Sequence, residues 1–383
     1  METKTHISKE LDLLLTCCKD APFEFPKPGS FDQDLFFKLV KAHRVIPQVH
    51  LAFAAHRNQF PSLFQKLEKL NERATKKMLI LSSNLLRIQS AFSNKNIDVL
   101  AFKGPALAQL VYGSLNARFS RDLDLLVRQK DLNKATTELK NLGFEKCYPD
   151  FDLSPKQQAY FERQYDQMVF VKRKPYVVVE LHWRLFQNKH LLPISAEELI
   201  TDKQTLDIGR SDIHTLSNKH LLLYLAAHGA KHNWEKIYWL ADFSNLYKKD
   251  PSLFRSSLEE AKKLQVEQIL YQAIMLSGKY LGTSVEKWIL EAAKNNNKAV
   301  KLTHIASQAL EEHTNNHRSR SYSTLLDSLF YRIKLKPTWK YRLAYFKPVS
   351  VYDFNTVQLP DSLFFLYFPL RPAIWCWRIF FHK

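Results

Sequence analysis

Cysteine is scarce in this chain and poorly placed for cross-linking. Among 383 residues there are four cysteines, and no two of them stand in a CxxC spacing. They are Cys17, Cys18, Cys147 and Cys376. A secreted disulfide framework or a structural zinc site needs more cysteines in suitably spaced pairs. The cysteine pattern therefore excludes both.

Long apolar runs are also missing. No stretch of the sequence approaches the roughly 20 apolar residues that a membrane-spanning helix requires. Residues 1–19 have no uninterrupted apolar core after a basic start, so we expect no signal peptide. We therefore expect a cytoplasmic protein that does not cross a membrane and whose membrane contact, if any, is peripheral and at the inner face.

Acidic residues are too few to balance the basic ones. The chain has 56 lysines and arginines against 38 aspartates and glutamates, a formal net charge of +18. Such a charge favours an anionic partner: a nucleotide, a nucleic acid, an acidic glycan or an anionic membrane surface. A hydrophobic content of 45% over this length is sufficient for two or three packed units.

The periodicity of apolar residues changes near residue 97. Spacings of three and four predict helices over residues 35–55 and 63–92, whereas residues 97–102 read as a short buried strand. The turn Lys103-Gly104-Pro105 follows, and then a short helix. Backbone amides at such a turn and the N-terminus of the helix behind it can bind phosphate groups.

Two carboxylates interrupt the next apolar run. Asp122 and Asp124 stand two residues apart in a predicted strand over residues 121–128, so they face the same side. Like charges that close do not both ionise readily without a cation between them, and Mg²⁺ is a common one. The alternative is that one aspartate ends the strand and the other faces solvent.

A third carboxylate lies in a predicted hairpin of residues 167–172 and 176–183. Glu180 interrupts a β-branched run there, and a buried glutamate is rare unless it is paired or bound to a cation. His182 faces the same side of the strand and is expected to support the metal ligands. Three carboxylates near a glycine turn predict two-metal phosphoryl-transfer chemistry.

Several segments together resemble the "uncharacterised nucleotidyltransferase" family of the polymerase-β-like superfamily. The matching segments are residues 100–108, 112–113, 118, 121–127, 179–183, 228–234 and 239–242. The resemblance implies an α+β fold, a mixed-sheet nucleotidyltransferase core flanked by N-terminal and C-terminal helical regions. It also implies Gly104 at a phosphate-binding turn, Asp122 and Asp124 as ligands of Mg²⁺ or Mn²⁺, and Glu180 as third ligand or general base. A nucleoside triphosphate is the implied substrate.

The chain departs from the superfamily pattern at the glycine turn. Pro105 stands where the superfamily has serine, and Lys103 precedes the glycine. Lys103 can replace the missing hydroxyl with a point charge on a phosphate. Arg118 and Arg121 are candidates for a bidentate phosphate clamp, and pairing with the carboxylates is an equally good interpretation.

Residues 218–250 carry an unusually polar stripe if they form one helix. The stripe comprises His228, His232, Glu235, Trp239 and Asp242. Gly229 and Asn233 are positions at which the helix can break. The resemblance favours His228, Lys231 and Asp242 on the far wall of a nucleotide cleft, while the alternative makes these histidines core or interface groups.

We predict four regions along the chain. Residues 1–93 form a helical region, 94–215 the nucleotidyltransferase core, 216–315 a helical subdomain, and 316–383 a basic, aromatic-rich tail, with a loop at 313–323. The first interpretation of the tail is packing over the helical domain. The second is peripheral contact with an anionic membrane, and the third is stacking with single-stranded nucleic acid.

The sequence therefore predicts a Mg²⁺-dependent transferase. It moves a nucleotidyl group from a nucleoside triphosphate to an unidentified acceptor, which we expect in envelope polysaccharide or other cell-surface biosynthesis. Two alternatives stay open: a non-catalytic or regulatory nucleotide-binding protein, and a phosphotransferase that uses the same metal site. The acceptor, the preferred base and the oligomeric state do not follow from the sequence.

Overall fold

A mixed five-stranded sheet lies at the centre of this α+β protein. The computed structural model describes residues 7–19, 22–315, 322–345 and 349–381. Helices precede the sheet in the chain, cover it and follow it. The predicted fold class, a mixed-sheet core flanked by N-terminal and C-terminal helical regions, is confirmed.

Within the described part of the chain, four helices precede the sheet. They are α1 (Lys9–Thr16), α2 (Gln33–His43), α3 (Ile46–Ala54) and α4 (Pro61–Ser93). Asp32 caps α2 by accepting hydrogen bonds from the backbone amides of Asp34 and Leu35. Arg44 has a left-handed backbone with φ of 56°, so the predicted helix over residues 35–55 is split into α2 and α3.

The sheet is built around one parallel strand pair. Its strands are β1 (Val99–Ala101), β2 (Asp122–Val127), β3 (Glu145–Tyr148), β4 (Gln167–Arg173) and β5 (Tyr176–His182). The spatial order is β1-β2-β5-β4-β3, where β2 and β5 are parallel and the other neighbours antiparallel. The hairpin predicted from residues 167–183 is therefore confirmed as β4 and β5.

Helices and a small second sheet join these strands to the rest of the chain. The connecting elements are α5 (Gly104–Tyr112), α6 (Leu132–Asn141), α7 (Pro155–Gln164), α8 (Ala196–Thr201), β6 (Lys203–Asp207) and β7 (Asp212–Leu216). Strands β6 and β7 form an antiparallel pair.

The two central strands divide polar from apolar side chains by alternation. On β2, Leu123 and Leu125 are buried in a core that also contains Val177, Val179 and Leu181 of β5. These residues fill one face of the sheet because successive side chains of a strand point to opposite faces. The intervening carboxylates consequently lie on the other face.

A helical region follows the second sheet. Its helices are α9 (Asn218–Lys231), α10 (Ile237–Lys249), α11 (Leu253–Lys263), α12 (Glu267–Leu281), α13 (Lys287–Asn295) and α14 (Asn297–Asn315). Asn233 and Trp234 both have φ of 53°, so the single helix considered for residues 218–250 is wrong and the chain breaks between α9 and α10. Buried Trp234 packs back against Gly229, the residue that the sequence marked as a possible break.

The C-terminal region packs in two places. Its helices are α15 (Tyr322–Lys334), α16 (Trp339–Leu343), α17 (Val351–Thr356) and α18 (Tyr367–Phe381). Tyr331 and Tyr341 join the core of the helical subdomain, as predicted for the tail. Tyr367 instead joins the core beneath the sheet and accepts a hydrogen bond from Gln157 at 3.2 Å, so for this half the predicted packing site was wrong.

The loop predicted at 313–323 is helical at both of its ends. Helix α14 continues through Asn315 and α15 begins at Tyr322, while residues 316–321 lie outside the described part of the chain. The four domain boundaries remain a prediction. Among the described residues, no helix combines the length and the apolar character that crossing a membrane requires.

The contact between Gly229 and Trp234 gives a stability test. A Cβ at Gly229 would overlap the Trp234 ring, so Gly229→Ala is expected to lower the free energy of unfolding by about 1–3 kcal/mol. Gly278 in α12 is the control, because a Cβ there meets nothing closer than 3.8 Å. Gly278→Ala should raise stability by about 0.5–1 kcal/mol in urea denaturation. Equal stability of the two variants would contradict the packing of the α9–α10 break.

Candidate active site

A polar cleft of about 280 Å³ opens on the carboxylate face of β2 and β5. The sheet forms its floor, while the end of α2, the segment before β2 and helices α9 and α10 form its walls. We call this site the cleft. It is lined by Arg44, Lys103, Arg118, Phe119, Ser120, Asp122, Asp124, Asp166, Gln167, Glu180, His182, Leu185, Tyr224, His228, Lys231, His232 and Tyr238.

The parallel register places two carboxylates side by side on the floor. Asp124 of β2 pairs directly with Glu180 of β5. His182 Nε2 lies 3.4 Å from Glu180 Oε2 and 3.7 Å from Asp124 Oδ1. One potential ligand atom from each of these three residues lies within 4.8 Å of the others. The sequence predicted that His182 supports the metal ligands, whereas the structure places it among the candidate ligands.

This group is suited to a divalent cation. Asp124 is only 2% exposed, and its Oδ2 atom has no hydrogen-bond partner among the described residues. A buried, unpaired carboxylate oxygen is costly unless a cation or donor reaches it. Two carboxylates and an imidazole are a donor set that divalent metals accept. Asp124, Glu180 and His182 can therefore hold such an ion.

Asp122 lies at the edge of the cluster. Burial, together with the charges of Asp124 and Glu180, raises the pKa of the Asp122 carboxyl to about 6. Asp122 pairs in register with Val178, two residues before the pair of Asp124 and Glu180. It lines the cleft without belonging to the group of three.

Lys103 forms an ion pair with the cluster. Its Nζ donates to Asp124 Oδ1 at 2.6 Å and lies 5.5 Å from the centre of the Tyr224 ring. Burial would raise the pKa of Asp124, but Lys103 and His182 hold that pKa below its usual range. Burial would lower the pKa of His182, but its contacts with Asp124 and Glu180 raise it to about 9. In this structure Lys103 thus contacts a carboxylate, and the phosphate contact suggested for it from the sequence stays a prediction.

Gly104 begins α5 directly beside β2. Its φ is 59°, and an added Cβ would lie 3.2 Å from the backbone oxygen of Asp122. Both the left-handed conformation and the close approach favour glycine. The predicted glycine turn is thus present, with the N-terminus of α5 next to the carboxylates.

Arg118 is fixed by a buried ion pair behind the cleft wall. Its Nε donates to both carboxylate oxygens of Asp242 at 3.0 Å, and the Tyr112 hydroxyl donates to Oδ1 at 2.9 Å. Arg118 Nη1 is buried and has no hydrogen-bond partner among the described residues. Asp242, 1% exposed and not part of the cleft lining, therefore orients Arg118.

Two further cations face the cleft. No described side chain forms an ion pair or hydrogen bond with Lys231, whose Nζ lies 5.6 Å from the centre of the Phe186 ring. Arg44 donates from Nη1 to the Tyr238 hydroxyl at 3.3 Å. The sequence analysis missed Arg44, because no local pattern shows that the end of an N-terminal helix lies near a strand about 80 residues further along the chain.

The histidines of the far wall belong to a ring cluster. The His228 ring lies 4.8 Å from that of His232 and 5.5 Å from that of Trp239. Burial, with the charge of Lys103 nearby, holds the pKa of His228 well below its usual value, so its ring is neutral. Both histidines line the cleft, His228 from the last turn of α9 and His232 from the residue that caps its C-terminus.

Arg121 lies outside the cleft. It is exposed and lines a neighbouring depression of about 570 Å³ that we call the groove. The groove is lined by Ile46, Leu70, Arg73, Ala74, Lys77, Phe119, Arg121, Asp122, Tyr176 and Val178. Phe119 and Asp122 are common to the cleft and the groove.

Most of the chain matches one known protein family. Residues 29–282 match the family described as uncharacterised nucleotidyltransferase, and every residue that lines the cleft falls in this range. The chain belongs to that family. The matched residues therefore include α2, α3 and α4 and most of the helices after the second sheet.

Known structures and curated proteins add little. A solved structure, an antigenic nucleotidyltransferase-like protein from Paracoccidioides brasiliensis, is 14% identical with a TM-score of 0.33. The match covers 58% of this chain and 99% of that one. No curated protein matches the chain.

The carboxylate cluster gives a binding test. Asp124→Asn or Glu180→Gln is expected to weaken Mn²⁺ binding by at least about 100-fold, since each removes a charged ligand and even outer partners of ligands matter 10- to 100-fold. Isothermal titration calorimetry with Mn²⁺ alone measures the effect. Asp212→Asn, at an exposed position of β7, is the matched control. Circular dichroism verifies folding, and unchanged Mn²⁺ affinity in both cluster variants would reject the metal assignment.

Proposed function

We propose that this protein is a metal-dependent nucleotidyltransferase that binds a nucleoside triphosphate in the cleft. The main support is the register of β2 and β5, which sets Asp124 beside Glu180 with His182 against both. A carboxylate cluster that faces a wall of cations suits a metal–triphosphate complex. Membership of the nucleotidyltransferase family supports the same assignment.

The cationic wall is suited to the triphosphate. Arg118 has a fixed guanidinium with one unpartnered nitrogen, and Lys231 has no anionic partner among the described residues. Arg44 lines the same cleft. Charge-assisted hydrogen bonds from these groups to phosphate oxygens would offset the cost of burying the cations. We assign Gly104 and the N-terminus of α5 to the same triphosphate, and His228 to the nucleotide or acceptor.

A bound Mg²⁺ or Mn²⁺ would supply positive charge to the phosphates and would be held by Asp124 and Glu180, with His182 or Asp122 completing the site. Lys103 positions Asp124 through its ion pair. The side chain of Glu180 is 27% exposed, so it can also accept a proton from the acceptor. The two roles of Glu180, ligand and general base, remain alternatives.

In the proposed reaction an acceptor oxygen forms a bond to the α-phosphorus. The bond from that phosphorus to its bridging oxygen breaks, and pyrophosphate leaves with the electron pair. The acceptor proton passes to Glu180 or to solvent. Arg118 and Lys231 neutralise charge on the departing pyrophosphate.

Product analysis distinguishes this reaction from its alternatives. Incubation with ATP, Mg²⁺ and candidate acceptors should release pyrophosphate. Release of ADP would instead establish a phosphotransferase. Binding of ATP without release of either product, over all acceptors tried, would favour a regulatory nucleotide-binding protein and reject the proposed transfer.

Lys231 gives a test of nucleotide binding. Lys231→Ala is expected to weaken binding of a non-hydrolysable ATP analogue with Mg²⁺ by about tenfold, because it removes one charge-assisted contact. Lys262→Ala, at an exposed position of α11, is the control and should bind as wild type. Calorimetry measures both affinities. An affinity of Lys231→Ala equal to that of wild type would remove Lys231 from the site.

We further propose that the protein is cytoplasmic and contacts the inner face of an anionic membrane through helix α18 of its C-terminal region. Asp353 pairs with Arg371 at 3.1 Å and Arg378 at 3.2 Å, which fixes α18 against α17. Trp375 and Trp377 on this fixed helix are each 53% exposed. Exposed indoles on a chain with a net charge of +18 suit an anionic interface better than solvent.

Vesicle flotation tests this contact. Trp375→Ala combined with Trp377→Ala should lower binding to phosphatidylglycerol vesicles by about tenfold, since two interfacial side chains are lost. Trp339→Ala is the matched control, because Trp339 is 66% exposed on α16. Substitutions are preferred to truncation because Tyr367 is buried in the core. Equal flotation of the double variant and wild type would reject membrane contact through this helix.

A further inference from the structure

The groove begins where the cleft ends. The two sites share Asp122 and Phe119, and nothing in the proposed nucleotide site uses the rest of the groove. Its volume of about 570 Å³ is within the range of small-molecule sites. A ligand in the groove would therefore lie beside the carboxylate cluster without occupying the triphosphate position.

The sheet makes the floor of the groove continuous with the floor of the cleft. Residues at alternate positions of β5 share a face, so Tyr176 and Val178 follow Glu180 along one line. Asp122 lies beside Val178 in the adjacent strand. At roughly 3.3 Å per residue, Tyr176 is about 13 Å from Glu180 along the strand. One face of β5 thus leads from the cluster into the groove.

Helix α4 provides the opposite side of the groove. Leu70, Arg73, Ala74 and Lys77 line it at offsets of 0, 3, 4 and 7, which is one stripe of a helix. The stripe alternates apolar and cationic side chains. It gives the groove an apolar surface with positive charge at the rim.

The cations of the groove are available to a ligand. Among the described residues, Arg73 and Arg121 form no ion pair and no hydrogen bond, and both are exposed. Lys77 donates from Nζ to the backbone oxygen of Tyr176 at 2.7 Å and lies 5.2 Å from the centre of that ring. Lys77 thereby holds the exposed Tyr176 side chain at the end of the groove.

We propose that the groove binds the acceptor, and that the acceptor is an amphipathic anion. Its apolar body would lie on Leu70, Val178 and Tyr176, and its anionic group would meet Arg73 and Arg121. This arrangement directs its reacting oxygen toward Asp122 and the cluster. The inference depends on the proposed function, because a groove ligand is an acceptor only if the cleft binds the nucleotide.

A pair of probes with one aromatic framework tests the proposal. The anionic probe is 8-anilinonaphthalene-1-sulfonate, and the uncharged probe is N-phenyl-1-naphthylamine. Fluorescence titration of Arg73→Glu should show about tenfold weaker binding of the sulfonate and unchanged binding of the amine, since one charge contact is reversed. Tyr176→Ala should weaken both probes. Arg87→Glu is the matched control, as Arg87 is exposed on α4 away from the groove.

Proximity to the cluster is measured separately. Mn²⁺ added to wild type should broaden the proton resonances of the bound sulfonate, and Asp124→Asn should abolish that broadening. Equal sulfonate affinity in wild type, Arg73→Glu and Tyr176→Ala would overturn the groove as the binding site. Retained affinity without broadening would overturn its role as an acceptor site.

Nucleotide binding in the same variants separates this inference from the proposed function. Arg73→Glu and Tyr176→Ala should bind the non-hydrolysable ATP analogue as wild type does. If wild type binds the analogue and the groove tests fail, only the acceptor assignment is lost. If wild type does not bind the analogue, the nucleotidyltransferase assignment fails and the acceptor role fails with it, whatever the probes show.

Discussion

The parallel pairing of β2 and β5 is the constraint on which the site depends. It places Asp124 directly beside Glu180, with Asp122 one step along the same face. Three carboxylates in a partly buried position repel one another, and folding must supply compensating charge. Lys103, at the turn after β1, and His182, at the end of β5, provide it. Asp124 Oδ1 serves these internal pairs, while its unpartnered Oδ2 is open to a metal ion in the proposed function.

A second buried ion pair, between Arg118 and Asp242, joins the sheet to the helical regions. Arg118 precedes β2, Asp242 lies on α10 and Tyr112 on α5, and their side chains meet in one buried hydrogen-bonded group. A buried ion pair adds little net stability, but removing one of its partners strongly destabilises the fold, because the other charge is then left buried and unpaired. The group thus orients an arginine toward the cleft and fixes α10 against α5. The cleft consequently depends on elements from three parts of the chain.

Local patterns were sufficient for β1, β2, β4 and β5 and for the positions of the carboxylates on them, whereas β3, β6 and β7 were not predicted. Asp122, Asp124 and Glu180 interrupt apolar runs of period two, and Gly104 follows a strand, so each was placed on the correct element. The predictions that were wrong depend on side-chain packing. The helix considered for residues 218–250 breaks where Trp234 packs back against Gly229. Tyr367 packs under the sheet, where its ring is buried in the core and its hydroxyl accepts a hydrogen bond from Gln157. Such contacts leave no periodic trace in the sequence.

The sequence by itself determined the chemistry of the floor: alternation in two strands puts carboxylates on one face, and this follows from strand geometry alone. The family resemblance drawn from the same motifs was confirmed by the match over residues 29–282. Only the tertiary structure decided which cations complete the site. It brought Arg44 to the cleft, turned Asp242 away from it, and set Arg121 in the groove. Long side chains from distant elements meet according to how helices pack against the sheet, which no local pattern encodes.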